Sequence, residues 1–114
     1  MIVNFKIEGQ EFFALNGGPQ FKFTGAVSFS ISTQTQEETD YYWNKLTADG
    51  GKESQCAWLK DKFGLSWLVV PVQLNELLSD PDKDKAQRPM QAMLQMKKID
   101  IPALQRAAAQ CYVL

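Results

Sequence analysis

Histidine is missing altogether from the 114 residues of this chain. That removes the commonest general base near neutral pH and the commonest ligand for zinc, iron or nickel. Cysteine is nearly as scarce. Cys56 and Cys111 form no Cys-x-x-Cys pair and no disulfide framework, a usage that suits a reducing cytoplasm. No apolar run approaches the roughly 20 residues a membrane-spanning helix needs. The opening Met-Ile-Val-Asn-Phe-Lys-Ile reads as a strand and not as a signal peptide. An excess of either charge is also lacking. Twelve Lys and Arg stand against 13 Asp and Glu, interspersed along the chain, so nothing points to a nucleic-acid partner.

What is present is apolar and aromatic bulk. Hydrophobic residues make up 45% of the chain, with seven Phe and three Trp, enough for one domain to bury a core without metal or disulfides. The chain is organised around Ala57 to Pro71. Two strand-like runs there flank Asp61-Lys62-Phe63-Gly64, a short connection ending in a glycine able to take positive φ. The first run is polar enough to be half exposed. The second, Leu65 to Val70, is nearly all apolar and is expected to be buried on both faces.

Upstream, Ile2 to Glu8 alternates, with Val3, Phe5 and Ile7 on one face. Glu8-Gly9-Gln10 turns the chain and Glu11 to Leu15 returns as a second strand. Asn16-Gly17-Gly18-Pro19 then breaks regular structure, and Phe21 and Phe23 fall in the loop that follows. Ala26 to Ser32 is a third strand, serines on one face and Val27, Phe29 and Ile31 on the other. A helix comes next. Thr35 with Glu38 fits a capping box, and Thr39, Tyr42, Trp43 and Leu46 form an i, i+3, i+4, i+7 stripe. Gly50-Gly51 ends it.

After Pro71 the pattern changes to short helices: Val72 to Leu78, Lys83 to Met96, and a last one from Asp100-Ile101-Pro102. Pro89 costs about 3 kcal/mol in a helix interior, so a break or kink is expected near Arg88, with Pro89 opening a new helix at its first turn. The terminal Cys111-Tyr112-Val113-Leu114 is apolar enough to dock or to touch a partner.

Four separated blocks carry a family resemblance: Glu11 to Pro19, Tyr42 to Leu46, Trp58 to Trp67, and Met90 to Ile101. Together they resemble the PhnB-like branch, also labelled 3-demethylubiquinone-9 3-methyltransferase-like, of the glyoxalase/bleomycin-resistance (vicinal oxygen chelate) superfamily. The resemblance implies an α+β fold built from βαβββ modules whose curved sheets surround a cavity. On that scheme the chain is one truncated domain over residues 1–114: a hairpin at 1–19, a βαββ module at 26–71 and a helical tail at 72–114. The family's opening strand-helix-strand has no counterpart before Met1, which would leave apolar sheet exposed, and a homodimer is the simplest remedy.

The methyltransferase label finds no glycine-rich strand-to-helix loop for S-adenosylmethionine. Gly17-Gly18-Pro19 follows a strand, and its proline argues against a helix-opening cradle. A superfamily metal site would draw on His and Glu. Here only Glu8, Glu11 and Glu53 stand near strand ends, a weak set for a hard cation, so neither metal nor cofactor is expected. The aromatic set Phe13, Phe29, Trp58, Phe63 and Trp67, with Asn16, Ser28 and Ser66 as polar handles, is the candidate ligand site. The plainer reading makes those aromatics core, with Trp58 and Trp67 stacked across paired strands. Met90, Met93 and Met96 read as adaptable packing, and Cys56 as an inert strand residue. The expectation is therefore a non-catalytic, homodimeric binder of an apolar or aromatic small molecule. The alternatives are a metal-dependent lyase, isomerase or dioxygenase of the superfamily, and a truncated relic that only dimerises.

Overall fold

The computed structural model describes residues 1–109. The reading of Cys111 to Leu114 as a docking segment lies outside the described residues. Strands β1 (Ile2–Ile7) and β2 (Gln10–Leu15) form an antiparallel hairpin, Phe5 opposite Phe12. Its two-residue turn holds Glu8 at φ 52° and Gly9 at φ 77°, the left-handed pair that matches the twist of such hairpins. A segment without regular structure, residues 16–27, leads to β3 (Ser28–Thr33).

Helix α1 (Gln36–Thr47) begins where the capping signature places it: Thr35 accepts a hydrogen bond from the Glu38 N–H at 3.1 Å. It ends one turn earlier than Gly50-Gly51 suggests, in a 3-10 turn over Ala48–Gly50. A two-residue strand β4 (Lys52–Glu53), then β5 (Trp58–Lys60) and β6 (Ser66–Pro71), complete a four-stranded sheet. The order is β3-β6-β5-β4, with β3 parallel to β6 and the other pairs antiparallel. The unit is therefore βαβββ: the sequence reading of βαββ lacked β4. The Asp61–Gly64 connection is as expected, Gly64 standing at φ 89°, and Asp61 ties it by accepting from the Phe63 and Leu65 N–H groups.

Register decides the faces. Leu59 lies opposite Trp67 and Trp58 opposite Leu68, so the two tryptophans point to opposite sides of the sheet and do not stack. Trp43 of α1 packs with Leu59 and Val69 on one side, with Tyr42, Leu46 and Trp67 around them. Trp67 itself is only half-buried, a departure from the expectation of full burial for its strand. On the helical-tail side, Ala57, Leu74, Ile99 and Leu104 form a second cluster with Val70 and Met93.

The tail comprises α2 (Val72–Leu78), α3 (Lys83–Met93) and α4 (Ile101–Ala109). Helix α3 runs through Pro89 without the expected break. Proline forfeits the bond to the carbonyl four residues back, that of exposed Lys85, where water can serve instead. Pro89 is also fully buried, so packing offsets the lost bond. The Arg88 guanidinium reaches across to donate to the Ala107 and Ala108 carbonyls at the end of α4, 3.1 and 2.9 Å away.

Gln36 is one of the side chains that join tail and module. Gln36 donates to the Ile99 carbonyl at 3.0 Å and to Asp40 at 2.9 Å, and accepts from the Ile101 N–H at 2.7 Å. The hairpin is different. It shares no strand pairing with the four-stranded sheet, and all but one of its strand residues are exposed. The described chain measures 64 × 27 × 23 Å with a radius of gyration of 17.0 Å, against about 13 Å for a compact domain of this length.

Candidate functional site

The hairpin approaches the rest of the chain through aromatic rings. Phe5 stacks on Phe12 at 5.6 Å between centroids; Phe12 meets Phe29 edge-on at 6.3 Å; Phe29 leans on Trp67 at 5.4 Å. This four-ring chain lines a cleft of about 670 Å³ between the hairpin, β3 and α1. Its floor is the α1-side face of the sheet, Phe29, Ile31 and Trp67; Phe5, Ile7 and Phe12 form one wall, and Tyr42 with Glu38 the other. Polar atoms are few and peripheral, contributed by Glu8, Gln34, Glu38 and the β3 serines, which is the composition of a site for an apolar ring with a polar edge. The Trp67 indole is fixed: its Nε1–H donates to Asp61 Oδ2 at 2.9 Å.

Of the residues singled out in the sequence, Phe29 and Trp67 line this cleft. Phe13 points to the other hairpin face and is 69% exposed, in a shallower groove with Asn4, Lys6 and Glu11. Phe63 is 73% exposed in the β5–β6 connection, with the Lys62 ammonium over its ring. Asn16 begins the loop after β2. Ser28 and Trp58 share the opposite sheet face, since Ser28 pairs with Ser66 and Trp58 with Leu68. Phe5, Phe12, Ile31 and Tyr42 were not singled out as site residues. The alternation of β1 carries Phe5 toward the same side as Ile7, but nothing local says that Phe12, rather than Phe13, turns inward.

The carboxylates considered for metal do not converge. Glu8 lies at the cleft rim. Glu11 is exposed, 4.0 Å from the Lys6 ammonium, and Glu53 accepts from the Trp43 indole N–H at 2.9 Å. Among the described residues no three His, Cys, Asp or Glu side chains gather where one ion could bind them. Cys56 belongs to a tight turn and not to a strand. It stands at φ 55° and Ala57 at φ 77°, held by N–H donation to the Met96 and Lys97 carbonyls. Asp40 has a perturbed protonation. The Gln36 amide, with help from Lys98 at 3.0 Å, holds its carboxyl below the ordinary range against the opposing penalty of burial. It lies away from the cleft and serves the module–tail joint. No helix among the described residues is long and apolar enough to cross a membrane.

The βαβββ module with a preceding hairpin defines the glyoxalase-like fold. The chain belongs to the family described as 3-demethylubiquinone-9 3-methyltransferase, whose model matches residues 1–70, from β1 into β6. Among solved structures it is similar to a PhnB protein from Bacillus cereus, described as a candidate 3-demethylubiquinone-9 3-methyltransferase. The two share 30% identity over 62% of this chain and 64% of that one, with a TM-score of 0.56. It is also similar in fold to protein PA1353 from Pseudomonas aeruginosa, at 19% identity and a TM-score of 0.50, over 62% of each chain. The chain thus spans under two thirds of the length of the solved structures it matches. No curated protein matches it.

Proposed function

We propose that this chain is a non-catalytic small-molecule-binding protein of the PhnB-like branch, taking an apolar or aromatic ligand into a cleft that a homodimer completes. The four-ring chain Phe5–Phe12–Phe29–Trp67 around the cleft carries this reading. A planar ring entering there would lie against Phe29 and Trp67, in the offset or edge-on geometries that aromatic pairs favour. The polar rim of Glu38 and Gln34 would then meet a hydroxyl or carbonyl substituent. Such a ligand has the character of the quinone ring in the family's description, whereas the methyl-transfer part of that description finds no motif here.

The homodimer follows from the hairpin. Val3, Phe5 and Ile7, on the cleft-facing side of the hairpin, are all exposed, and burying each would contribute roughly 1.5–3 kcal/mol. A second copy would cover that face and roof the cleft, in a cytoplasmic setting that leaves Cys56 reduced. The test is a thermal-shift panel of naphthols, quinones and indoles against aliphatic controls. Aromatic members should raise the melting temperature of the wild type, with the effect lost in Phe29→Ala. A panel in which no compound stabilises the wild type would leave only the dimer.

A further inference from the structure

The cleft between the hairpin, β3 and α1 is anionic as well as aromatic. Glu8 stands on the hairpin side and Glu38 on the α1 side, and no lysine or arginine lines it. Glu38 is half-buried. Among the described residues the ion pairs are Lys6–Glu11 and Lys98–Asp40, so neither cleft carboxylate has a cationic side chain for a partner. Glu8 holds φ 52° in the hairpin turn, a position that asparagine or glycine takes more readily. The residue present there puts a carboxylate at the cleft rim.

The rings add to the same preference. Phe29, Trp67 and Tyr42 line the cleft with Phe5 and Phe12, and the face of a ring attracts a cation placed over it, tryptophan most strongly. Where this chain sets its own cations over rings it does so elsewhere, Lys45 over Tyr41 at 6.0 Å and Lys62 over Phe63 at 5.2 Å. The cleft rings have no such partner among the described residues. Charges of one sign on walls of low polarity also focus their field into the space between them. We infer that the cleft selects a cationic ring, an N-alkylated or protonated nitrogen heterocycle, whose plane lies on Phe29 and Trp67 and whose charge is met by Glu8 and Glu38. The inference rests on the aromatic-ligand reading of the proposed function and adds the charge of the ligand. A neutral ring of the same shape keeps the stacking and loses the charge contacts; an anionic one is repelled by both carboxylates.

The experiment titrates ¹⁵N-labelled full-length protein with three probes at mildly alkaline pH, read at the Trp67 indole cross-peak. The probes are 1-methylquinolinium, 4-methylquinoline, which has the same ring and methyl group without the charge, and 2-naphthoate. The cation should bind at least about tenfold more tightly than its neutral counterpart, and the anion least tightly. Two substitutions test the assignment. Glu38→Gln preserves the capping box and Glu8→Asn suits the positive φ of the turn, so the double variant should fold with an unchanged circular dichroism spectrum. Its preference for the cation over the neutral ring should fall to within about twofold. Glu76→Gln, on the exposed side of α2 and outside the cleft, removes one negative charge elsewhere and should keep the wild-type preference. Saturable binding of 4-methylquinoline as tight as that of 1-methylquinolinium overturns the charge selectivity and leaves the aromatic site standing. A preference that persists in the double variant overturns the assignment to Glu8 and Glu38. No saturable shift with any of the three probes overturns the inference together with the reading on which it rests.

Discussion

Phe12 meets Phe29 edge to face, centroids 6.3 Å apart and ring planes 81° apart, and this is the ring contact by which the N-terminal hairpin touches the βαβββ module. It joins two sheets that share no hydrogen-bonded strand. A lone two-stranded hairpin is marginal in water, so this contact and whatever covers the exposed hairpin residues govern its order.

Backbone amides of β1 and β2 are therefore expected to exchange rapidly at nanomolar protein concentration and to gain protection as concentration rises through the dimerisation range. Amides of β6 should be protected throughout. Hydrogen exchange followed by mass spectrometry reads both, and hairpin protection that does not change with concentration would argue against cover by a second copy.

The core of the module is centred on Trp43, fully buried against Leu59 and Val69. Trp43→Ala should cost about 3–5 kcal/mol, enough to unfold a marginal domain. Lys62→Ala, in the exposed β5–β6 connection, should cost under about 0.5 kcal/mol. Urea melts of the two variants should separate widely.

Gln36 makes three hydrogen bonds: two bind α1 to the segment entering α4, at the carbonyl of fully buried Ile99 and at the Ile101 N–H, and the third goes to Asp40 within α1. Gln36→Ala leaves that carbonyl and the Ile101 N–H without this partner, and a loss of about 1–3 kcal/mol is expected. Gln36→Glu keeps the acceptor but not the donor and should recover part of it. Equal stability of all three proteins would contradict the role given to this joint.

Asp40 is held below its ordinary range by Gln36 first and Lys98 second. The sign follows from linkage. A carboxyl depressed in the folded state contributes stability that is present above its unfolded value, about 3.9, and is lost as pH falls through the folded value. Asp40→Asn should thus flatten the acid limb of the stability curve below about pH 4. The change near neutrality should stay under about 1 kcal/mol, because Asp40 and Lys98 are 40% and 36% exposed.

Local pattern carried much of the fold. The Thr35 cap, the Thr39–Leu46 stripe and the Asp61–Gly64 connection each rest on contacts within a few residues, and each is where the sequence places it. Strand β4 escaped because two residues hold no periodicity, and the turn after it has Cys56 and Ala57 where glycine or asparagine would have announced positive φ. Pro89 misled because tertiary burial outweighed a local penalty. The cleft was half legible. Phe29 and Trp67 stand in regular strands whose alternation is readable, while Phe12 joins them only through the long-range placement of the hairpin.

The central claim is that an aromatic ligand lies against Phe29 and Trp67, and the three tryptophan indole N–H resonances report on it directly. Trp67 lines the cleft with its N–H on Asp61. Trp43 is buried with its N–H on Glu53, and Trp58 faces the other side of the sheet. Titration of ¹⁵N-labelled protein with 2-naphthol should shift the Trp67 indole cross-peak in a saturable way and leave those of Trp43 and Trp58 in place. Saturable shifts at Trp58 with Trp67 unmoved, or no saturable shift at any of the three, would contradict the account.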